Sequence, residues 1–132
     1  MPARTPAEID TLFASALNAG DLEALVSLYE SNAALMPSPG NVVHGTAAIR
    51  EALAGFLAAK PSMTLDARTL ATTGDLALVS ATWQLSLTGP DGKPATMSGN
   101  SVEVVRRQAD GRWLFAIDFP FGASGDLSRE AR

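Results

Sequence analysis

The amino-acid sequence predicts an α+β fold, in which three N-terminal helices cover one face of a bent antiparallel sheet. Apolar residues recur with helical spacing as far as Pro61 and then alternate with a period of two, which is typical of strands with one covered face. Tight-turn sequences separate the later segments. Short turns between long strands indicate that neighbouring strands run antiparallel.

The length and composition of the chain are those of one packed domain. It has 132 residues, of which 46% are hydrophobic and 18% charged, enough to build a core without disulfide or metal cross-links. We expect residues 1–122 to form this domain and residues 123–132 to be a mobile tail.

Charge and residue usage exclude several classes of function. Ten Lys and Arg residues stand against fourteen Asp and Glu residues, and this acidic balance argues against nucleic acid as a partner. The chain contains no cysteine and one histidine, which argues against thiolate chemistry and against zinc. We expect no metal and no cofactor. Apolar runs are too short to span a membrane, so we expect a cytoplasmic protein without a membrane partner.

The first helix has a clear start signal, in which Thr5 is the N-cap and Glu8 closes a capping box. A single apolar stripe follows, formed by Ile9, Leu12, Phe13, Ala16 and Leu17. Gly20 can end this helix, and Asp21 can cap a second one that runs to Tyr29. Two short helices are therefore expected to meet at a corner.

The next segment, residues 31–45, is rich in proline and glycine, so it cannot form a regular helix, although residues 33–36 could form a short strand. Thr46 is expected to cap a third helix, which ends before Pro61. The alternating pattern then predicts a four-stranded meander, with strands at residues 63–73, 76–88, 95–108 and 112–120.

Three local sequences resemble a known superfamily. They are Ala-Gly-Asp-Leu-Glu-Ala-Leu at residues 19–25, Gly-Thr-Ala-Ala-Ile-Arg at residues 45–50, and Asp-Gly-Arg-Trp at residues 110–113 leading to Asp118. Together with the order of helices and strands, they resemble the nuclear transport factor 2-like superfamily, which includes SnoaL-like polyketide cyclases and ketosteroid isomerase. The chain is most similar to small stand-alone bacterial members of the SgcJ/EcaC-like group.

This resemblance implies a cone-shaped roll, with a strongly curved sheet and the three helices over its concave face. It also implies a ligand cavity between the sheet and the helices, and a homodimer formed through the convex face. It also implies a small apolar ligand, such as a cyclic carbonyl compound, and proton transfer of the isomerase, cyclase or dehydratase type. The superfamily also has members without catalysis, so a non-catalytic ligand-binding or dimerisation module is the alternative.

Two residues are candidates for the chemistry. Asp118 lies near the end of the last strand among aromatic residues, and an apolar environment would raise its pKa towards neutrality. Strict alternation places Asp118 on the face opposite Phe115, whereas a β-bulge would bring both to one face. Tyr29 is the second candidate, because its hydroxyl group could donate a hydrogen bond to a ligand carbonyl. Structural roles for both residues remain the alternative.

Further polar and aromatic residues are candidates for ligand binding. Trp83 could form a flat wall for a ring, and His44 is the only imidazole. Asn100 and Glu103 lie on opposite faces of one strand, so only one of the two can enter the cavity without a bulge. The complete set of ligand-binding candidates is Met36, His44, Trp83, Asn100, Phe115 and Phe119.

The sequence departs from ketosteroid isomerase at an informative place. That enzyme needs a carboxylate base, a tyrosine and a protonated carboxylic acid around one substrate oxygen. The region after Tyr29 instead has Leu35 and Met36 where a base would be expected. No complete trio can be assigned from the sequence, and no nucleophile-elbow or dinucleotide motif is present.

Overall fold

The computed structural model describes residues 2–122, so the tail predicted at residues 123–132 lies outside the described residues. The described residues form three helices and six strands. They are α1 (Glu8–Ala19), α2 (Leu22–Val26), β1 (Tyr29–Ser38), β2 (Asn41–His44), α3 (Thr46–Leu57), β3 (Ser62–Thr73), β4 (Leu76–Thr88), β5 (Pro94–Arg107) and β6 (Trp113–Phe119).

The six strands form one curved sheet in the order β2-β1-β6-β5-β4-β3. Strand β1 runs parallel to β6, and the other neighbouring strands are antiparallel. The α+β fold predicted from the sequence is therefore confirmed. The boundaries of the four strands predicted after Pro61 differ from the observed ones by at most one residue.

As predicted, the segment at residues 31–45 contains no helix, and it has more strand structure than the short strand considered at residues 33–36. It forms the hairpin of β1 and β2, which turns at Gly40 with φ of 78°. Pro37 lies within β1, where the pairing register shifts between Leu35 and Ser38. Proline has no N–H group to donate to a neighbouring strand, so it is tolerated in a strand at such an irregularity of the pairing. The sheet therefore has six strands, two more than the four-stranded meander predicted after Pro61.

Tyr29 was expected to end the second helix, but it begins β1 instead. Helix α2 ends at Val26, and the N–H group of Phe115 donates a hydrogen bond to the carbonyl oxygen of Leu28. This bond starts the pairing of β1 with β6, in which Tyr29 is the partner of Phe115. Tyr29 is thereby placed beside the last strand.

The helix starts differ slightly from those predicted. The Glu8 carboxylate accepts hydrogen bonds from the N–H groups of Arg4 and Thr5, as a capping box requires, but α1 begins only at Glu8. Asp21 caps α2 by accepting a bond from the N–H group of Ala24. Gly45, rather than Thr46, is the N-cap of α3.

The hydrophobic core lies between the helices and the face of the sheet that they cover, which we call the inner face. Residues of both layers are almost fully buried in it, among them Ile9, Leu17, Leu25, Ile49, Val79, Val105 and Phe115. The opposite side of the sheet is the outer face. In residues 2–122, no helix is long and apolar enough to cross a membrane.

Candidate functional site

A β-bulge in β6 determines which side chains enter the core from the last strand. Val105 pairs with Phe115, but the next residue, Val104, pairs with Ile117, so the register passes over Ala116. The extra residue reverses the alternation. As a result, Phe115 and Asp118 both lie on the inner face and are 1% and 4% exposed, whereas Ile117 is 42% exposed on the outer face.

Asp118 is held by the tyrosine at the start of β1. The Tyr29 hydroxyl group donates a hydrogen bond to Asp118 Oδ2 at 2.5 Å, and both side chains are buried. The Tyr29 ring packs on Phe115 with 4.9 Å between the ring centroids. A charge-assisted O–H donor of this kind is among the stronger hydrogen bonds in proteins, so the orientation of the carboxyl group is well defined.

Two further carboxyl groups meet Asp118 inside the core. Glu103 lies directly opposite Asp118 on the neighbouring strand β5, and Asp10 enters from the first turn of α1. Glu103 is 2% exposed and Asp10 is 4% exposed. The two carboxyl groups hydrogen-bond to each other, which requires that they share a proton.

Burial raises the pKa of all three carboxyl groups, because it removes water from the ionised form. The pKa of Asp118 rises to about 7, and the Tyr29 hydrogen bond opposes a larger increase. The pKa of Glu103 rises to about 11, first through burial and then through the Asp118 charge and the bond to Asp10. Burial also raises the pKa of Asp10, and the hydrogen bond that Glu103 donates to it opposes this increase. Glu103 is therefore the protonated partner of the pair at neutral pH.

These groups line a cavity of about 40 Å³, which we call the acid cavity. Its polar wall is formed by Asp10, Ser101, Glu103 and Asp118, and its apolar wall by Phe13, Met63, Leu65, Ala81, Trp83, Phe115 and Pro120. The mouth of the acid cavity lies at its partly buried residues, which are Phe13, Met63, Leu65 and Pro120. At roughly 10–15 Å³ for each water, the space suits a few waters or a small functional group, and it is too small to enclose a steroid.

Trp83 forms one side of the acid cavity and connects it to the end of the described chain. Its indole N–H group donates a hydrogen bond of 2.7 Å to the carbonyl oxygen of Pro120, and its ring meets Phe121 edge-on. Gly99 lies beneath the indole on β5, where a Cβ atom would be 2.7 Å from the ring carbon Cζ2. The glycine therefore leaves the space that the ring occupies.

Replacing Gly99 with Ala is expected to destabilise the protein by about 1–3 kcal/mol, as overpacked cores are destabilised. Urea denaturation would measure this change in the free energy of unfolding. Gly55→Ala is the control, because nothing lies within 4 Å of a Cβ atom at this position in α3; we expect it to stabilise the helix by about 0.5–1 kcal/mol. Equal stability of Gly99→Ala and the wild type would contradict this role of Gly99.

Four of the eight predicted site residues meet at the acid cavity: Asp118, Trp83 and Phe115 line it, and Tyr29 reaches it through Asp118. The other four lie elsewhere. Asn100 is exposed on the outer face, where its side chain accepts a bond from the Thr82 hydroxyl group. Phe119 follows Asp118 and pairs with Val102, so it lies on the outer face too.

Met36 and His44 also lie away from the acid cavity. Met36 is buried in β1 but does not line the cavity. His44 is exposed at the end of β2, opposite Ala34. Both positions follow from the β1–β2 hairpin, which lies at the far side of the sheet from β3 and β4.

The sequence did not identify Asp10 or Ser101 as site residues, and it left undecided whether Glu103 enters the cavity. Ser101 and Glu103 lie four and two positions before the buried Val105 on β5, so they share its face of the sheet. This two-residue spacing is the sequence pattern that indicates their position. The Ser101 hydroxyl oxygen accepts a bond from the N–H group of Ala81. Despite the three carboxyl groups, no group of three possible ligands is arranged to hold a metal ion in the described part of the chain.

The chain matches one family in sequence. The family model described as a SnoaL-like domain matches residues 9–115, a range that includes Asp10, Tyr29 and Glu103 and ends just before Asp118. Among the curated proteins, none matches the chain.

Several solved structures share the fold. A nuclear transport factor 2-like superfamily protein from Salmonella enterica is 16% identical, with a TM-score of 0.77, 90% of this chain and 89% of that chain covered. A ketosteroid isomerase-like protein from Erwinia carotovora is 20% identical, with a TM-score of 0.74 and coverage of 84% and 88%. The association domain of CaMKII from C. elegans is 17% identical, with a TM-score of 0.65 and the same coverage.

Proposed function

The chain belongs to the SnoaL-like domain family, and from this premise we propose that it binds a small carbonyl compound at the acid cavity and transfers a proton to or from it. The observation that carries the proposal is the buried hydrogen bond between Tyr29 and Asp118. It places an oriented carboxyl group in an apolar surround beside a cavity, which is the arrangement that acid–base catalysis needs.

Asp118 is the acid or base of this proposal. A pKa of about 7 means that both protonation states are populated near neutral pH, so the group can accept a proton in one step and return it in another. The Tyr29 hydroxyl group is already committed to Asp118. Its role in the proposal is therefore to position the carboxylate rather than to donate to the ligand carbonyl.

The size of the acid cavity restricts the ligand. About 40 Å³ accommodates a carbonyl group and its neighbouring carbons, whereas a ring would have to remain at the mouth beside Phe13, Met63 and Leu65. We therefore propose a small ligand, or a larger one of which only the reactive end enters. The similarity to a protein named ketosteroid isomerase-like supports the proton-transfer class.

Exchange of α-protons in a simple ketone tests this function. Butanone dissolved in deuterated buffer with the protein would be followed by proton NMR, and we expect the signal of its α-protons to disappear faster than in buffer alone. A thermal shift with butanone measures binding separately, because a ligand of the folded state raises the melting temperature. Binding without faster exchange would instead support the non-catalytic alternative.

A second proposed function is homodimerisation through the outer face of the sheet. Leu78 pairs with Val104 on β5, which pairs with Ile117 on β6, and this row of apolar side chains crosses three strands. Leu78 is 37% exposed and Ile117 is 42% exposed. A continuous apolar row on a surface indicates an interaction site, and the similarity to an association domain supports a second copy as its partner.

Substitution of Ile117 with Lys is expected to convert the dimer into a monomer, because a buried unpaired charge is strongly unfavourable at an interface. Sedimentation velocity would measure the change. Val42→Lys is the matched control, because Val42 is equally exposed but lies on β2, away from this row. A wild-type protein that is monomeric at all concentrations would refute the proposal.

A further inference from the structure

Strand β3 forms one edge of the sheet, with β4 as its neighbour on the other side. It spans Ser62–Thr73, twelve residues, whereas a typical strand has about five or six. Every second residue of an edge strand turns its backbone N–H and C=O groups away from the sheet, and these groups can pair with a further strand. The length of the β3 edge makes it a candidate interaction surface.

The side chain of Asn18 shows which backbone groups of β3 point outwards. Near the end of α1, it accepts a hydrogen bond of 2.7 Å from the N–H group of Met63 and donates one of 2.9 Å to the carbonyl oxygen of the same residue. Both groups of Met63 therefore face away from β4. Because this orientation repeats every second residue, it also holds for Leu65, Ala67 and Thr69. Within residues 2–122, no turn, loop or side chain bonds to the outward groups of these three residues.

The charged residues of this open stretch are arranged symmetrically about Ala67. Asp66 precedes it and Arg68 follows it, and both are exposed. Among the described residues, neither side chain forms an ion pair or a hydrogen bond. When two antiparallel copies of β3 meet at Ala67, Asp66 of each copy lies opposite Arg68 of the other. Facing charges of opposite sign stabilise paired strands, whereas like charges destabilise them.

These charges also select a single register. A pairing centred on Asp66 would place two carboxylates opposite each other, and one centred on Arg68 would do the same with two guanidinium groups. Charged side chains ordinarily protect an edge strand from pairing, and here they do so in both neighbouring registers. In the register centred on Ala67, Leu65 faces Thr69 of the second copy, and each pair of facing outward residues exchanges two N–H···O bonds.

Helix α1 leaves room for a second copy in this register. It meets β3 at the Met63 end, where Asn18 bonds to the strand. On the inner face, Leu65 is partly buried, whereas Thr69 is exposed. Met63 and Thr69 are about 20 Å apart along the strand, and the two-fold relation between the copies reverses the strand direction. The two α1 helices therefore lie towards opposite ends of the paired strands.

We infer that two copies of the chain pair through the β3 edge, antiparallel and centred on Ala67, so that their sheets join into one. This surface is separate from the apolar row on the outer face, which crosses β4, β5 and β6. Pairing over about five residues buries less surface than the roughly 1,200 Å² of a stable interface, so we expect a weaker contact than the outer-face dimer. The acid cavity is lined by residues of one chain, so its proposed function does not depend on this contact.

Disulfide trapping tests the contact, because the chain contains no cysteine of its own. Ala67 pairs with the buried Ala81 on the inner face, so a dimer formed through the outer face cannot join two cysteines at position 67. Facing residues of an antiparallel pair have Cα atoms about 5.5 Å apart, within the range of a disulfide. Under copper–phenanthroline oxidation, we expect Ala67→Cys to form a linked dimer about tenfold faster than Thr73→Cys, whose two cysteines would lie too far apart.

Charge reversal distinguishes pairing in this register from chance collision. In the Ala67→Cys variant, Asp66→Lys places like charges on both sides of the centre, so cross-linking should slow about tenfold. Adding Arg68→Asp restores opposite charges and should restore the rate. Both substituted side chains are exposed, and circular dichroism verifies that each variant folds. Equal rates for Ala67→Cys and Thr73→Cys, an unchanged rate with Asp66→Lys, or a double reversal that stays slow would each overturn the inference and leave the proposed proton transfer intact.

Discussion

Asp118→Asn is expected to slow the α-proton exchange of butanone by two to four orders of magnitude, the usual contribution of a positioned general base. The asparagine side chain cannot accept a proton in this pH range, yet its carbonyl oxygen can still accept the hydrogen bond that Tyr29 donates to Asp118. Exchange should therefore be lost while the fold is retained. Proton NMR measures the rate, and circular dichroism and the melting temperature verify the fold.

A matched carboxylate on the other side of the sheet provides the control. Asp66 is exposed on β3 and lies outside the acid cavity, so Asp66→Asn should exchange butanone at the wild-type rate. If Asp118→Asn were as active as the wild type, Asp118 could not be the base. If both variants lost activity equally, the effect would be one of net charge rather than of position.

The free energy of unfolding is expected to fall as the pH rises from about 4 to about 7 and to continue falling in alkaline solution. A carboxyl group whose pKa is raised in the folded state stabilises the protein below its ordinary pKa and loses this contribution as the pH passes the folded value. For Asp118, the pKa rises from 3.8 to about 7, which corresponds to about 4 kcal/mol. Glu103, with a pKa of about 11, extends the decrease to higher pH.

Urea denaturation at a series of pH values measures this prediction. Glu8 and Glu23 have lowered pKa values and act in the opposite direction, but both are fully exposed and their effect is screened by solvent. Glu103→Gln mimics the protonated side chain, so its stability should decrease less above neutral pH than that of the wild type. A wild-type stability that rises steadily from pH 4 to pH 8 would contradict buried, protonated acids in the core.

Most of the strand structure could be predicted from sequence because it has local signals. Strands β3 to β6 combine alternating hydrophobicity with recognisable turns, such as Ala109-Asp110-Gly111. The pairing of β1 with β6 has no such signal, because its partners are far apart in sequence and the segment contains Pro37. The sequence therefore indicates only a short strand at residues 33–36 where the β1–β2 hairpin forms, and it favours a helix end at Tyr29, which begins β1 instead.

The candidate site could be predicted only in part, for a related reason. Aromatic neighbours identified Asp118, but its orientation depends on the bulge at Ala116, which the sequence allowed without requiring. Asp10 was not predicted as a site residue, because an acidic residue in the first turn of a helix is ordinarily explained by its favourable interaction with the helix dipole. Its spacing of three residues from Phe13 was the only indication that it faces the core.

The hydrogen bond between Tyr29 and Asp118 joins residues that are 89 positions apart, on strands that enter the sheet first and last along the described chain. During synthesis, nearly all of the described residues must leave the ribosome before this contact can form. A chain stalled before β6 would present the unpaired edge of β1 and the uncovered side chains of the core, which are the features that promote aggregation. The proposed proton-transfer activity would thus appear only after β6 has joined the sheet.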